Sequence, residues 1–413
     1  MKLKLWQKVL IGMLLGILCG YLFRDYFLIF KPIAIIYNNL VRMIVVPTVF
    51  FAILFGMTNI SDIHALGRIG TKALIIYGLA TILAVTLGIV FTLFFEPGTG
   101  VSLINNHSQD IGNIVTTHQK LSDIIINIVP TNPILAMASD NTLQVVFFAF
   151  VLGLALILVG EKANDARKVI ISITNVIFKM VELVIKTTPY GVFAIMAWVV
   201  GEYGFSLVLS LGKLIFVIMA ALALQYVIFG VMLLLAKLKP IQFYKKTFNI
   251  QTLALATSSS KATITTAIND LQEKVGVSKS VAGFILPLGA SVNMTGTAIY
   301  IAACALFFAQ TAGIHLTTSQ YLILIVTSTI GSIGAAGYPG GGVIMLSMVL
   351  SSLGLPIEGI PLILGIDRFI DMFRTMINVT GDCAVTVIVD KMNNTLDIDK
   401  YNSRELSNEN SIN

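Results

Sequence analysis

The chain has 413 residues, of which 56% are hydrophobic and only 12% charged, and its mean hydropathy is +0.89. A soluble domain carries about 25% charged residues, so this composition excludes a soluble enzyme and a disordered chain and leaves a polytopic membrane protein. The net charge of +6 does not point to nucleic acid, because Lys and Arg lie in short groups between apolar runs instead of forming a basic patch.

Apolar runs of spanning length fall near residues 5–24, 34–58, 71–95, 143–160, 166–201 and 206–236. The N-terminus, Met1-Lys-Leu-Lys-Leu-Trp6, begins like a signal peptide. Its apolar run continues to Leu22 without a small-residue cleavage site, which predicts a retained first helix. Basic groups at Lys2, Lys4 and Lys8, at Arg68 and Lys72, at Lys162, Arg167 and Lys168, and at Lys237, Lys239, Lys245 and Lys246 place those loops in the cytoplasm. The stretch 97–120 and the link 202–205 are poor in positive charge and are placed outside.

Beyond residue 246 simple alternation fails. Segment 247–272 is weakly apolar, contains Thr257-Ser-Ser-Ser-Lys-Ala-Thr263, and has basic flanks on both sides at Lys245, Lys246, Lys274 and Lys279. Both ends therefore read as cytoplasmic, and the segment is predicted to enter the membrane and return. Residues 280–367 hold no Lys or Arg. They contain a spanning run (281–310), a polar link, an apolar run interrupted at Gly334–Gly342 and a second polar link, so the interrupted run is predicted to be a hairpin entered from outside. The last helix, about 361–390, ends at Lys391 on the basic side. The predicted fold is all-α and polytopic, with eight transmembrane helices and two re-entrant hairpins of opposite direction. Inverted repeats with broken helices point to a secondary-transporter site near the bilayer midplane, where irregular backbone survives only inside protein or beside a watery cavity. The polar tail 392–413 is predicted to be mobile.

The last helix carries most of the chemistry. At about 100° per residue, Asp367, Asp371, Arg374, Thr375, Asn378 and Asp382 share one face of an otherwise apolar helix. Ionisable groups at this depth cost about 2.5–3.5 kcal/mol each on insertion scales and mark functional sites by default; a ladder that only fixes helix packing is the alternative. Arg374 suits a carboxylate held bidentately, Asp371 an ammonium, and Asn378 with Asp382 an alkali cation. Asn293-Met-Thr-Gly-Thr297 interrupts the run 281–310, and Gly296 there suggests an unwound turn with cation-binding carbonyls. Gly334-Ala-Ala-Gly-Tyr-Pro-Gly-Gly-Gly342 forms the second tip, with exposed amides and freedom to move, or else a passive turn. Ser258-Ser-Ser-Lys261 matches the SxxK of penicillin-recognising enzymes, but no partner motif accompanies it; hydroxyls offered to an anion suit it better. Lys261 then either joins that anion site or reaches cytoplasmic water. Cys19, Cys304 and Cys383 form no CxxC pair, and the four histidines are scattered, so neither a disulfide framework nor a zinc motif is predicted.

Together the serine-rich tip, the NMTGT turn, the SIGxAGxPGxG tip, the DMxRTxxNVTGD helix, Met43-Ile-Val-Val-Pro47 and Ile128-Val-Pro-Thr-Asn-Pro133 resemble the dicarboxylate/amino acid:cation symporter family. That family includes the archaeal aspartate transporter and the mammalian excitatory amino acid transporters. The resemblance implies a homotrimer moving its substrate by an elevator. Scaffold helices one and two would lie in 1–70, and the external loop with scaffold helices four and five in 97–205. The transport part would comprise helix three (71–96), helix six (206–243), hairpin one (244–276), helix seven with its unwound turn (277–316), hairpin two (317–358) and helix eight (359–391). By the same resemblance the substrate meets Ser260, Thr297, backbone of Tyr338 and Gly342, Asp371, Arg374, Thr375 and Asn378. One sodium site uses Gly289, Asn293, Asn378 and Asp382; a second uses Ser291, Met294, Ser332, Ile333 and Ala335. A third would use Ala80, Thr81, Asn293 and Thr295. Here the family's usual Asp is Thr295 and one hydroxyl of a pair is Ala80, so a desolvated cation has its charge offset poorly. The residue at the proton-carrying position of animal relatives is Ile301. Ile264-Thr265 replaces the usual Leu-Pro, and Lys261 a common Ser.

The expected function is a secondary active symporter for L-glutamate or L-aspartate, coupled to sodium or protons. It needs no covalent cofactor, sits in the plasma membrane (the inner membrane in a bacterium) and has cytoplasmic termini. It is not expected to be an enzyme. A symporter of C4-dicarboxylates or neutral amino acids is the alternative within transport, and an ion channel the alternative from another class.

Overall fold

The computed structural model describes residues 5–58, 67–100, 126, 129–139, 142–204, 206–335, 341–355 and 360–403. Every regular element among them is helical. The first half comprises α1 (Leu5–Leu22), α2 (Lys31–Thr58), α3 (Gly67–Phe95), the short α4 (Pro133–Ala138), α5 (Thr142–Val159), α6 (Asn164–Tyr203) and α7 (Ser206–Leu235). Then follow α8 (Pro240–Thr257), α9 (Ser260–Asp270), α10 (Lys279–Val292), α11 (Thr295–Thr311), α12 (Thr318–Gly334), α13 (Gly341–Ser352), α14 (Ile360–Met392) and α15 (Ile398–Asn402).

Among the described residues, six stretches are long and apolar enough to cross a membrane: Tyr26–Phe55, Ile69–Phe95, Gln144–Glu202, Ser206–Leu235, Lys279–Thr311 and Ile366–Met392. The third holds both α5 and α6, and the first expected span is a shorter apolar helix, Gln7–Leu22. Large apolar side chains such as Leu18, Leu79, Leu158, Leu183 and Leu235 stand exposed on these helices, a surface that water tolerates badly and lipid does not.

Close packing is set by small residues. Gly12, Gly16 and Gly20 recur every fourth position on α1, and a Cβ at each would strike the backbone of Pro189, Phe193 or Ala197 on α6. Because hydrocarbon offers no hydrophobic drive between helices, such stripes hold them together by close van der Waals contact. On the other side of the molecule α11 is buried along almost its whole length. It packs on α3, α7, α12, α13 and α14, meeting α3 where Gly88 faces the Ile299 carbonyl.

Three breaks in the helices position the site. Between α8 and α9, Ser258 adopts a left-handed conformation (φ 51°) and Ser259 caps the new helix, its hydroxyl accepting from the Ala262 N–H. The expected turn at 293–297 is shorter than predicted. Only Asn293 and Met294 leave helical geometry, and Thr295 already starts α11. Gly296 is therefore helical, and its small size serves contact: a Cβ there would lie 2.7 Å from the Arg374 carbonyl oxygen. The third break separates α12, which opens with a Thr317–Gln320 capping box, from α13; residues 336–340 lie outside the described residues.

Residues 393–403, expected to be part of a mobile tail, are packed instead. Tyr401 is fully buried and its hydroxyl donates to the Lys239 carbonyl at 3.0 Å. Lys246 donates to the Lys400 carbonyl and to Ser403, and the Asp397 N–H donates to Gly276 at 3.0 Å. These bonds tie the segment to the base of α8 and α9. Polarity alone misled the prediction, since a short polar segment stays ordered when buried donors and carbonyls satisfy it.

Candidate functional site

The ionisable stripe of α14 is buried as a unit: Asp367, Asp371, Arg374, Thr375, Asn378 and Asp382 are each less than a tenth exposed. One guanidinium nitrogen holds two carboxylates, with Arg374 Nη2 at 3.0 Å from Asp367 Oδ1 and 2.7 Å from Asp371 Oδ1. The other oxygen of Asp371 is taken by Arg368 Nη1 at 3.0 Å. The Arg374 guanidinium also lies 4.0 Å from the centre of the Tyr300 ring on α11, a cation–π contact strengthened by its dry surroundings. Among the described residues, Arg374 Nη1 and Nε have no hydrogen-bond partner. A Cβ on Gly342, at the start of α13, would strike Nη1. Gly342 therefore lies against the unpartnered Nη1 edge of the guanidinium.

Around that edge is a pocket with about 390 Å³ of atom-free space including its mouth. Of the predicted substrate residues, Ser260, Thr297, Gly342, Asp371, Arg374, Thr375 and Asn378 line it, joined by Ser258, Ser259, Met294 and Ala335. Tyr338 lies outside the described residues. The lining combines hydroxyls, an amide, one acid and one base, which is chemistry for a small polyfunctional anion. Sequence reasoning missed Arg368 and Tyr300. Both had a signal: Arg368 stands three residues before Asp371 and Tyr300 three after Thr297, the spacing of helical neighbours. Lys261 does not line the pocket. Its ammonium sits 4.5 Å from the centre of the Phe55 ring on α2 and 5.6 Å from that of Phe178 on α6.

Below the pocket, the break at Asn293–Met294 is sewn to α14. Asn378 Oδ1 accepts from the Gly296 N–H at 2.8 Å, while its Nδ2 reaches Met294 Sδ at 3.1 Å and Thr297 Oγ1 at 3.4 Å. Asn293 Nδ2 donates to Asp382 Oδ1 at 2.8 Å and to the Asn378 carbonyl at 3.2 Å. Gly289 closes the group, since a Cβ there would meet Asp382 Oδ1 at 2.6 Å. The four residues of the first expected sodium site are thus one cluster. It is rich in oxygen, as hard cations require, and Asn293 Oδ1 is buried without a partner. For the second expected site, Met294 and Ala335 share the pocket wall, and the carbonyls of Gly331, Ser332 and Ile333 crowd around the Ala335 N–H at the end of α12. The Ser291 hydroxyl is spent on Pro287 of its own helix. For the third, the Thr81 hydroxyl donates back to Tyr77, Ala80 is buried beside it, and Thr295 Oγ1 is buried without a partner. Among the described residues no group of three or more His, Cys, Asp or Glu is placed to hold a metal ion.

Residues 5–392 match the sodium:dicarboxylate symporter family. The chain belongs to that family. Among its curated relatives, the C4-dicarboxylate transport protein of Rhizobium leguminosarum is 33% identical over 95% of this chain and 90% of its own length. The proton/glutamate-aspartate symporter of Bacillus subtilis is 32% identical over 93% of this chain and 94% of its own. The proton/sodium-glutamate symport protein of Bacillus caldotenax is 31% identical over 94% and 93%. The chain is thus about equally similar to relatives named for dicarboxylates and for acidic amino acids, and the six membrane-length stretches among its described residues, with its family, make it an integral membrane protein. Family membership bears out the resemblance read from the six motifs.

Proposed function

We propose that the protein is a secondary active symporter of acidic amino acids, L-aspartate or L-glutamate, coupled to sodium or protons. The observation that carries this reading is the Arg374 guanidinium, buried in the pocket with Nη1 and Nε free, next to an acid, Asp371. A buried donor left unsatisfied is costly, so the free edge favours a ligand carboxylate; Asp371 suits the ammonium, and the hydroxyls of Ser260, Thr297 and Thr375 with Asn378 complete the polar shell. Tyr338 contributes backbone. Coupling cations occupy the Gly289–Asn293–Asn378–Asp382 cluster and, under the second tip, Ser291, Met294, Ser332, Ile333 and Ala335. The third site, at Ala80, Thr81, Asn293 and Thr295, holds sodium weakly.

In this reading the chain crosses the membrane eight times, and α8–α9 and α12–α13 are re-entrant hairpins. Scaffold helices α1, α2, α5 and α6 form the centre of a homotrimer. Helices α3, α7, α10–α11 and α14, with both hairpins, carry the site across as an elevator in a plasma membrane, the inner membrane in a bacterium, with both termini cytoplasmic. Substrate and cation together let the second tip close, and closure permits movement, so neither solute crosses alone.

Purified protein in liposomes, loaded with labelled aspartate or glutamate under separate sodium and proton gradients, tests this. Uphill, gradient-dependent accumulation is expected. Passive equilibration without overshoot would establish a channel and refute the symport reading.

A further inference from the structure

Arg368 is the charged group at the site that the proposed function leaves unused. It meets Asp371 from the side opposite Arg374, so the two oxygens of one carboxylate are divided between two arginines. The two arginines differ in freedom. The Arg374 side chain is 2% exposed and the Arg368 side chain 22%. Arg374 is fixed among Asp367, Asp371 and Tyr300, whereas Arg368 keeps one ion-pair partner, Asp371, its Nε is buried without a partner among the described residues, and it has a long stem on which to swing.

We infer that Arg368 stands in for a substrate ammonium at Asp371 and so allows this transporter to carry amine-free dicarboxylates as well as acidic amino acids. The inference rests on the symport reading. Its basis is charge balance in a buried site. Asp367 and Asp371 carry two negative charges, and Arg368 and Arg374 carry two positive ones. An acidic amino acid brings its own cation; its ammonium takes Asp371, and Arg368 swings aside. A diacid such as succinate brings none. If Arg368 were absent, its carboxylates would enter beside Asp371 with only Arg374, already shared with Asp367, to offset them. With Arg368 in place Asp371 stays neutralised and Arg374 keeps its free edge for the incoming carboxylate. Discrimination between the two substrate classes is thereby reduced by a side chain that leaves when it is not needed.

The test compares wild type, Arg368→Met and Arg368→Lys in liposomes, measuring KM for labelled aspartate and labelled succinate. Wild type is expected to accumulate both. Arg368→Met is expected to raise KM for succinate and lower it for aspartate, moving their ratio by about tenfold, the equivalent of about 1.4 kcal/mol. Arg368→Lys restores the cation and is expected to bring the ratio back toward wild type, which separates charge from folding. Wild-type protein that accumulates aspartate and neither transports succinate nor is inhibited by it overturns the inference while leaving the symport reading intact. So does an Arg368→Met protein in which both KM values move together. Failure of wild type to accumulate either solute overturns the symport reading and this inference with it.

Discussion

Arg374→Lys isolates what the fork of the guanidinium contributes. In the structure one nitrogen, Nη2, holds both Asp367 and Asp371, while Nη1 and Nε have no hydrogen-bond partner among the described residues. Lysine keeps the positive charge but offers a single compact nitrogen. That nitrogen cannot hold two carboxylates of its own helix and also present further donors, as Nη1 and Nε do, to a substrate. The loss of one charge-assisted hydrogen bond is about 1.5–3 kcal/mol, so KM for aspartate is expected to rise roughly 10- to 150-fold. The salt bridges to Asp367 and Asp371 survive in part, so the thermal midpoint in detergent is expected to fall much less than for Arg374→Ala. Uptake kinetics in liposomes, with the thermal midpoint measured on the same preparation, make the comparison. An unchanged KM in well-folded Arg374→Lys protein would refute the assignment of the free edge to the substrate.

Thr295→Asp places a carboxylate where a hydroxyl is buried without a partner. It is expected to steepen the dependence of uptake on sodium, and an unchanged Hill slope and sodium affinity would count against the reading of the third site. Gly296→Ala pushes a methyl group into the Arg374 backbone, 2.7 Å away, and overpacking of this kind costs about 1–3 kcal/mol. A lower thermal midpoint is expected, whereas Gly283→Ala, which meets nothing within 4 Å, is expected to leave it in place. Lys261→Ala removes the ammonium from the Phe55 and Phe178 rings and is expected to lower stability by about 0.5–2 kcal/mol, read as a thermal shift without loss of substrate affinity.

Much of the fold was legible because the bilayer leaves a chain few choices. Long apolar runs poor in charge had to be helices, and their predicted bounds lie within a few residues of α2, α3, α5, α6 and α7. The stripe on α14 was legible for a related reason: a one-dimensional period fixes which residues share a face. What stayed hidden depends on contacts between elements. Gly296 reads as a helix breaker, yet the break falls at Asn293 and Met294, because the Asn293 side chain is committed to Asp382 and Gly296 is needed small against α14. Lys261 reads as a polar tip residue, and only the placement of α2 and α6 reveals the aromatic seat beneath it. Arg368 lies off the face shared by Asp367, Asp371 and Arg374 by helical period, and only its long side chain brings it back to Asp371. The order in residues 393–403 depends on partners about 120 to 160 positions earlier.

Asn378 touches both halves of the site. Its side chain lines the pocket and bonds Thr297 and Gly296, while its carbonyl accepts from Asn293 beside Asp382. A cation drawn to that carbonyl and a substrate drawn to that amide would therefore adjust the same atoms. By thermodynamic linkage, whatever factor the ion lends to substrate affinity the substrate returns to the ion. The ratio of the two couplings is one whatever the residue at position 378, so replacing Asn378 can weaken the exchange but never make it one-sided.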